Sequence, residues 1–287
     1  MNTSNRKKES LAAIIANQGV RLILILCSVT VVFPLLWNLT TSLKTNEEIL
    51  ASPWTLPANP EFGNYVRAFL TARMGDYFLN SVFVVCISMA LLLVLIIPAA
   101  YSLTRLNLKK VSKLVSNIYI ACLFLQINVL LVPIFVLMNN MNMLDNRFWL
   151  CVVMVATALP FPTYMLMAFM KTISKEYEYA AMIDGCSYIQ VLTKVIIPLS
   201  KPSIITVSIL AFFQFFNEYI LTFVVITSDE KMTLPVGLAN LYEVQRYATD
   251  WGALFAALII MMVPIILVYS IGQKSLTQGM SVGGLKG

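Results

Sequence analysis

One acidic residue lies deep within an apolar stretch of the sequence, where an ionisable group is costly. Glu218 stands in the segment AFFQFFNEYILTF. A charge at the centre of a bilayer costs roughly 2.5–3.5 kcal/mol on insertion scales, so a partner or water must compensate it. On a continuous helix, Gln214, Asn217 and Glu218 lie on one face. The rings of Phe215 and Tyr219 lie beside that stripe. Amides and a carboxylate next to aromatic rings suit a sugar, which offers hydroxyls to bond and C–H faces to stack.

The same stripe has two other interpretations. Polar side chains also hold helices of a membrane bundle together, so Gln214, Asn217 and Glu218 can form a polar seam with no ligand. An intramembrane carboxylate can also carry a proton or an ion. The sequence leaves the sugar-binding and seam interpretations equally open.

The sequence lacks the residues and motifs that most catalytic, metal and nucleotide sites require. The 287 residues include no histidine, which is the commonest general base and metal ligand. The phosphate-binding pattern G-x-x-x-x-G-K-[ST] does not occur, so the sequence predicts no nucleotide site of its own. The spacing of the five cysteines suggests neither a disulfide framework nor a metal site. These observations argue against an enzyme.

The elements that position these residues are membrane helices. Hydrophobic residues make up 59% of the chain and charged residues 12%, which is far too apolar for a soluble domain. A crossing needs about 20 apolar residues. Six windows satisfy this, approximately 20–42, 79–102, 114–138, 148–170, 204–226 and 252–271. We therefore expect an all-α polytopic membrane protein with six spans, forming one domain over 1–287, with the fourth span kinked at Pro160 and Pro162.

Charge is distributed unevenly between the segments that join the spans. With the N-terminus inside, the inner segments carry fourteen of the twenty Lys and Arg but only four of the fourteen Asp and Glu. These segments are 1–21, 104–113, 171–202 and 272–287. An excess of Lys and Arg on cytoplasmic loops predicts that both termini and the loop 171–203 are cytoplasmic. It also explains the net charge of +6 without a nucleic-acid partner. A basic cluster after the second span is interpreted as a topology anchor, with a lipid-headgroup site as the alternative; its members are Arg105, Lys109, Lys110 and Lys113.

The loop 171–203 is too long for a simple turn and contains the amphipathic stretch EYEYAAMIDGCSYIQVLTKVIIPL. Its Ala180–Ala181 pair leaves a helix face almost without side chains, which allows close approach by a partner. Gly185 is expected to end a first short helix in the left-handed conformation. Pro198 is expected to end a second one. The loop therefore predicts two short helices at the membrane surface that form a small knob.

The spacing within this knob resembles the EAA loop of ABC importer permeases, in which Glu-Ala-Ala is followed by Gly and then by a helix ending in Ile-x-Leu-Pro. The matching positions are Ala180, Ala181, Asp184, Gly185 and Pro198. The usual glutamate before the alanines is replaced by Tyr179, and Glu178 lies one residue earlier. In that family the loop docks on a separate ATPase and transmits its motion. The resemblance thus implies an ATPase-coupling role for Glu178 and the matching residues, with Asp184 bonding a partner's backbone or capping the second helix.

The resemblance covers nearly the whole chain and is strongest to maltose/oligosaccharide-type permeases. It includes the first outer loop, the stretch MTLPVGLANL and the G-x-x-x-G-G-x-K-G ending. This resemblance implies that the tail residues Gly283, Gly284 and Lys286 contact the ATPase subunits. The glycines also predict a flexible tail.

This resemblance implies the type I ABC importer permease fold and a sugar, in particular an oligosaccharide, as the transported solute. The implied partners are a second homologous permease, two ATPase subunits that bind ATP and Mg²⁺, an extracellular sugar-binding protein and membrane lipid. The chain itself then binds no cofactor, is not an enzyme and lies in a bacterial or archaeal plasma (inner) membrane. The alternatives are a permease for a polyamine or an oxyanion, and a secondary transporter that uses Glu218.

Overall fold

The computed structural model describes residues 11–71, 73–106, 109–244 and 250–284, and α-helices dominate these ranges. In chain order they are α1 (Leu11–Thr41), α2 (Asn46–Ala51), α3 (Gly63–Val66), α4 (Met74–Arg105), α5 (Lys109–Cys122), α6 (Ile127–Asn140), α7 (Arg147–Ala158), α8 (Pro160–Met170), α9 (Glu176–Ile183), α10 (Tyr188–Val191), α11 (Ile197–Phe216), α12 (Ile220–Val225), α13 (Leu234–Val244) and α14 (Trp251–Gly284). Two π-helical turns and one 3₁₀ turn complete the regular structure of these ranges, at Arg67–Thr71, Leu192–Ile196 and Asp229–Lys231.

Up to six membrane crossings are present among the described residues. Four continuous helices are long and apolar enough to cross, namely Asn17–Thr41, Met74–Arg105, Tyr188–Phe216 and Trp251–Leu276. Two bent pairs can each form one more crossing: α5 with α6, at 103°, and α7 with α8, at 51°. The fold is therefore the all-α polytopic class that the sequence predicts. The bend between α7 and α8 lies where Pro160 begins α8, as expected from the two prolines.

The third predicted span differs from a single helix. The window 114–138 covers parts of both α5 and α6, and the chain turns sharply at Leu123–Gln126. Gln126 has an extended backbone, with φ −75° and ψ 138°, and starts α6 in a new direction. A run of apolar residues indicates burial in lipid, but it does not indicate whether the buried helix is continuous.

The fifth predicted span is also displaced. Its helix begins at Tyr188, inside the predicted loop 171–203, and runs through the π-helical turn to Phe216. Pro198 therefore does not end a helix, as the sequence suggested, but lies in the first turn of α11. In a regular helix a proline ring clashes with the carbonyl four residues earlier. The wider turn at Leu192–Ile196 ends two residues before Pro198 and includes Lys194, whose carbonyl the ring would otherwise meet.

The core is built around α4. This helix packs against α7, α8 and α11, and α11 packs in turn against α14. Buried apolar side chains of α4, including Leu92 and Ile96, belong to one continuous cluster with those of the surrounding helices. By contrast, α1 packs against α14 and exposes most of its apolar side chains. The end of α4 at Arg105 lies close to α8, and this arrangement positions the loop that contains α9.

Candidate functional site

The helix α9 ends at the glycine that the sequence singled out. Gly185 has φ +83°, in the left-handed region that favours glycine. Its N–H donates to the Met182 carbonyl at 3.0 Å, and the Cys186 N–H donates to the Ala181 carbonyl at 3.0 Å. These two bonds form the Schellman arrangement, which satisfies carbonyls at the end of the helix. The prediction for Gly185 is therefore confirmed.

The next helix, α10, begins with a cap of its own. The Ser187 hydroxyl accepts a bond from the Gln190 N–H, and the Gln190 side-chain oxygen accepts one from the Ser187 N–H at 2.8 Å. This reciprocal capping box satisfies backbone donors of the first turn. Asp184 is exposed at the end of α9 and does not cap α10. The capping role suggested for Asp184 is therefore wrong, and its second suggested role, bonding a partner's backbone, stays a prediction.

A group of large side chains projects outward from α9 and α10. Ile183 is 86% exposed and Ile189 is 74% exposed, and three tyrosines beside them are more than half exposed. Together these five residues form the docking patch: Tyr177, Tyr179, Ile183, Tyr188 and Ile189. Several large exposed apolar side chains close together in the sequence are typical of a surface that contacts another protein. The aromatic Tyr179, which stands in place of the family's usual glutamate, is part of this patch.

The inward side of α9 consists of Glu178 and Ala181, which are the two buried residues of the helix. Ala180 is exposed, so the two alanines do not form one bare face toward a partner, contrary to the expectation. Successive helical residues lie about 100° apart, which separates them. Glu178 also points away from the docking patch: its Oε1 lies 3.0 Å from Arg105 Nε, and both side chains are less than 10% exposed.

The Arg105 side chain is 3% exposed, so it does not contact lipid headgroups, the alternative given for the basic cluster, and its role as a topology anchor stays a prediction. Its Nη2 donates to the Met170 carbonyl and, at 2.7 Å, to the Ile173 carbonyl. Those carbonyls lie at the end of α8 and in the turn that follows. A sequence signal for this role was weak, because a buried arginine at a helix end resembles any basic loop residue.

The burial of Glu178 affects its acidity. Removal from water raises the pKa of the Glu178 carboxyl, while the nearby positive charges of Arg105 and Lys175 lower it, and the net change is upward. The Arg105 guanidinium therefore compensates only part of the cost of burying this carboxylate. The pair contacts as an ion pair and is not aligned as a hydrogen bond.

The second candidate site lies where α11 ends. The Asn217 side-chain amide donates to the Phe213 carbonyl at 2.9 Å, and the Glu218 carboxylate accepts from the Leu221 N–H at 2.8 Å. These local bonds compete with the helix, and α12 starts in their place. Gln214, Asn217 and Glu218 therefore do not share one continuous helix face, which corrects the predicted stripe. Glu218 caps the first turn of α12 instead.

The aromatic candidates at this helix break separate into two groups. Phe215 is buried in the core, at 4% exposure. Tyr219 is 37% exposed and stacks on Phe223, with ring centroids 5.6 Å apart and 23° between the ring planes. Gln214 and Asn217 are also exposed. The break thus presents amides and a stacked aromatic pair at the protein surface.

The C-terminal candidates lie at the end of α14. This helix continues to Gly284, so Gly283 and Gly284 belong to it, which differs from the flexible tail predicted from the glycines. Lys286 lies outside the described residues. Among those residues, no group of three or more His, Cys, Asp or Glu side chains could hold a metal ion.

Comparison with known proteins identifies the family. Residues 96–282, which include α9, α10 and the helix break, match the family described as binding-protein-dependent transport system inner membrane component. The chain belongs to this family. It is therefore a multi-pass inner membrane permease of a transport system that works with a binding protein.

Several characterised permeases are similar to this one along most of their length. The diacetylchitobiose uptake system permease NgcG of Streptomyces coelicolor is 35% identical, over 91% of this chain and 86% of its own. The sulfoquinovosyl glycerol transport system permease SmoH of Agrobacterium fabrum is 38% identical over 89% of each chain. The trehalose/maltose permease MalG of Thermococcus litoralis is 28% identical over 98% of this chain and 99% of its own.

A solved structure has the same fold. The crystal structure of a bacterial ABC transporter that imports the acidic polysaccharide alginate contains a chain with a TM-score of 0.81 to this permease. The match covers 96% of this chain and 99% of that chain, with 22% sequence identity. The permease therefore has the fold of an ABC importer permease.

Proposed function

We propose that the protein is the membrane subunit of an ATP-driven importer that moves a sugar, in particular an oligosaccharide, into the cytoplasm. The observation that carries this proposal is the set of relatives named for sugar uptake, which match along nearly the whole chain. Substrate type is a property of the whole transport path, so similarity over about nine-tenths of both chains is stronger support than a local motif.

In this proposal the energy comes from two partner ATPase subunits. They bind ATP and Mg²⁺, and this chain is not itself an enzyme. The docking patch supports an external partner, because α9 and the first residues of the helix that begins at Tyr188 expose two isoleucines and three tyrosines. Gly185 fixes the angle between α9 and α10 and so shapes the patch. Gly283, Gly284 and Lys286 provide a second contact with the ATPase.

The complete transporter contains a second, homologous permease, which pairs with this chain as a heterodimer, and an extracellular sugar-binding protein. Both termini of this chain and the docking patch face the cytoplasm. The support for this orientation is the excess of Lys and Arg in the corresponding segments of the sequence.

The helix break is the proposed contribution of this subunit to the sugar path. Exposed amides of Gln214 and Asn217 can bond sugar hydroxyls, and the stacked rings of Tyr219 and Phe223 offer an apolar surface to the C–H face of a pyranose. Glu218 is held by the Leu221 N–H and contributes by keeping the break in place. Phe215 supports the site from the core.

The test is purification of the complex from the native membrane in mild detergent, followed by reconstitution in proteoliposomes. We expect the chain to co-purify with a second permease and an ATPase, and to accumulate labelled diacetylchitobiose, trehalose or maltose only when ATP and the binding protein are supplied. Accumulation of spermidine or of an oxyanion instead would replace the sugar in this proposal. Accumulation driven by a proton gradient, with no ATPase recovered, would contradict it altogether.

A further inference from the structure

Arg105 joins three parts of the protein. It is the last residue of α4, which is the central helix of the core. Its Nη2 donates to the carbonyl of Met170 at the end of α8 and to that of Ile173 in the turn that follows. Its Nε lies 3.0 Å from the Glu178 carboxylate on α9. One planar guanidinium therefore contacts the ends of two membrane helices and the helix that carries the docking patch.

The attachment of α9 to the rest of the protein depends on few side chains. Of its eight residues, Glu178 and Ala181 are buried and the others are exposed or partly exposed. Ala181 offers a single methyl group, which packs but cannot transmit direction. Met182 also packs partly against the core, and α9 contacts α10 and the turn at Leu192–Ile196. Glu178 adds a charged contact, because its carboxylate meets a cation that also bonds the carbonyls of Met170 and Ile173.

The chemistry of this contact favours a positional role over a purely stabilising one. Both side chains are nearly excluded from solvent, at 3% and 7% exposure. Burying two charges is often no better for stability than burying apolar groups of similar size. The Arg105 guanidinium, however, is rigid and planar and is held by the two carbonyl bonds of Nη2, so it fixes the place of the positive charge that Glu178 meets, which apolar packing does not.

We propose that the Arg105–Glu178 pair is the positioning contact through which movement of α9 reaches α4 and α8 during transport. This inference rests on the proposed function, because it assumes that an ATPase moves α9. It assigns to Glu178 a role inside the permease, on the opposite side of α9 from the docking patch. Arg105 and Glu178 do not touch the transported solute.

The test compares Glu178→Gln with Glu176→Gln in the reconstituted complex. Glu176 lies on the same helix but is exposed and has no part in the buried pair or the docking patch. The measured quantity is the amount of labelled sugar accumulated per ATP hydrolysed, using whichever of the three sugars the wild type accumulates. We expect this ratio to fall between about twofold and thirtyfold in Glu178→Gln, the range typical of residues that carry coupling. Glu176→Gln keeps the wild-type ratio.

A second variant tests the same contact from the Arg105 side, in case Glu178→Gln fails to fold. Arg105→Lys keeps the positive charge but has one ammonium on a flexible stem in place of the planar guanidinium, so it cannot hold Glu178 and the carbonyls of Met170 and Ile173 in the same fixed geometry. We expect its ratio to fall as well, while ATP hydrolysis and co-purification of the ATPase persist. The ratio is independent of the amount recovered, so a lower yield does not obscure it. A wild-type ratio in both variants would overturn the proposal.

A third measurement does not depend on the transported solute or on ATP. Amide hydrogen exchange of the detergent-solubilised complex without nucleotide reports how firmly α9 is attached. In Glu178→Gln we expect α9 amides to exchange about tenfold faster or more, as for loss of an interaction with a charged group, while α4 and α11 are unchanged. Unchanged exchange in α9 would also overturn the proposal. Failure of the wild type to use ATP would contradict the proposed function instead. The exchange rates of α9 would then still show whether the Arg105–Glu178 pair attaches this helix.

Discussion

The Asp145 carboxylate forms an ion pair with Lys231, which lies 86 residues later in the chain, with 2.5 Å between Oδ2 and Nζ. Asp145 lies in the turn between α6 and α7, and Lys231 lies in the loop between α12 and α13. The same carboxylate accepts bonds from the Thr227 N–H, the Ser228 N–H and the Ser228 hydroxyl. One side chain thus organises the start of this loop.

Asp145→Asn is expected to destabilise the protein by about 1–3 kcal/mol, the usual cost of leaving a partly buried polar group without its partner. The amide has the same shape but replaces one acceptor oxygen with a donor. Asn also tolerates the left-handed backbone of this position, where φ is 55°, so backbone strain does not contribute. Thermal unfolding in detergent measures the change. Asp76→Asn is the control, since the Asp76–Arg73 pair is largely exposed, and a loss as large there would contradict the assignment.

The contribution of Asp145 should also depend on pH. Burial alone would raise the pKa of the Asp145 carboxyl, but the Lys231 ammonium and the bonds from Ser228 and Thr227 outweigh this and hold it far below its usual range. A carboxyl with a lowered pKa in the folded state contributes fully above its ordinary pKa of about 3.9 and loses that contribution as the pH falls towards the folded value. The stability difference between wild type and Asp145→Asn should therefore be constant from pH 7 to about 4.5 and shrink below about 4. A difference that shrank already near pH 6 would contradict the lowered pKa.

Gly237 in α13 packs directly on the ring of Tyr77 in α4. A Cβ atom at this position would lie 2.0 Å from Tyr77 Cδ2. The ring cannot move aside cheaply, because Tyr77 is buried and its hydroxyl bonds Asp229 at 2.7 Å. We expect Gly237→Ala to cost about 1–3 kcal/mol of stability through overpacking. Gly19→Ala is the matched control, since nothing lies within 4 Å of its added carbon, and it should be neutral or stabilising.

Features set by local chemistry could be predicted from the sequence. Gly185 ends α9 because glycine adopts the left-handed backbone without steric cost. The apolar windows identified the membrane helices because burial in lipid requires long apolar runs. Both predictions depend on residues that are consecutive in the sequence and need no knowledge of the tertiary structure.

Features set by tertiary contacts could not be predicted. Arg105 and Glu178 stand far apart in the sequence, and each had a local explanation, one as a topology anchor and one as a docking residue. Their pairing depends on how α4, α8 and α9 meet. The predicted stripe at Asn217 was wrong for a different reason. The spacing of the polar residues is typical of a helix, but the side chains of Asn217 and Glu218 bond the backbone, and the helix ends there.

Gly185→Val is expected to uncouple ATP hydrolysis from uptake while the protein stays in the membrane. A β-branched residue in the left-handed conformation costs about 1–2 kcal/mol or more, so the angle between α9 and α10 should change. Nothing lies within 4 Å of the added carbon, so the effect comes from the backbone and not from a clash within this chain. Gly185→Asn is the control, because Asn adopts this conformation more readily. Sugar uptake per ATP in proteoliposomes distinguishes the two, and equal ratios in Val, Asn and wild type would contradict the role of this turn.

Glu218→Gln separates an ATP-driven importer from a transporter that moves protons. The amide oxygen can still accept the Leu221 N–H bond, so the helix break and the fold should persist. Glu218→Ala removes that cap and should cost about 0.5–2 kcal/mol in thermal unfolding. Because Glu218 contributes by keeping the break in place and Gln keeps that bond, ATP-driven uptake should continue in Glu218→Gln. An amide cannot carry a proton at neutral pH, so a proton-coupled transporter would lose its driving reaction. Uptake abolished in Glu218→Gln, with its stability unchanged, would therefore favour the carboxylate as the coupling group and count against an importer driven through α9.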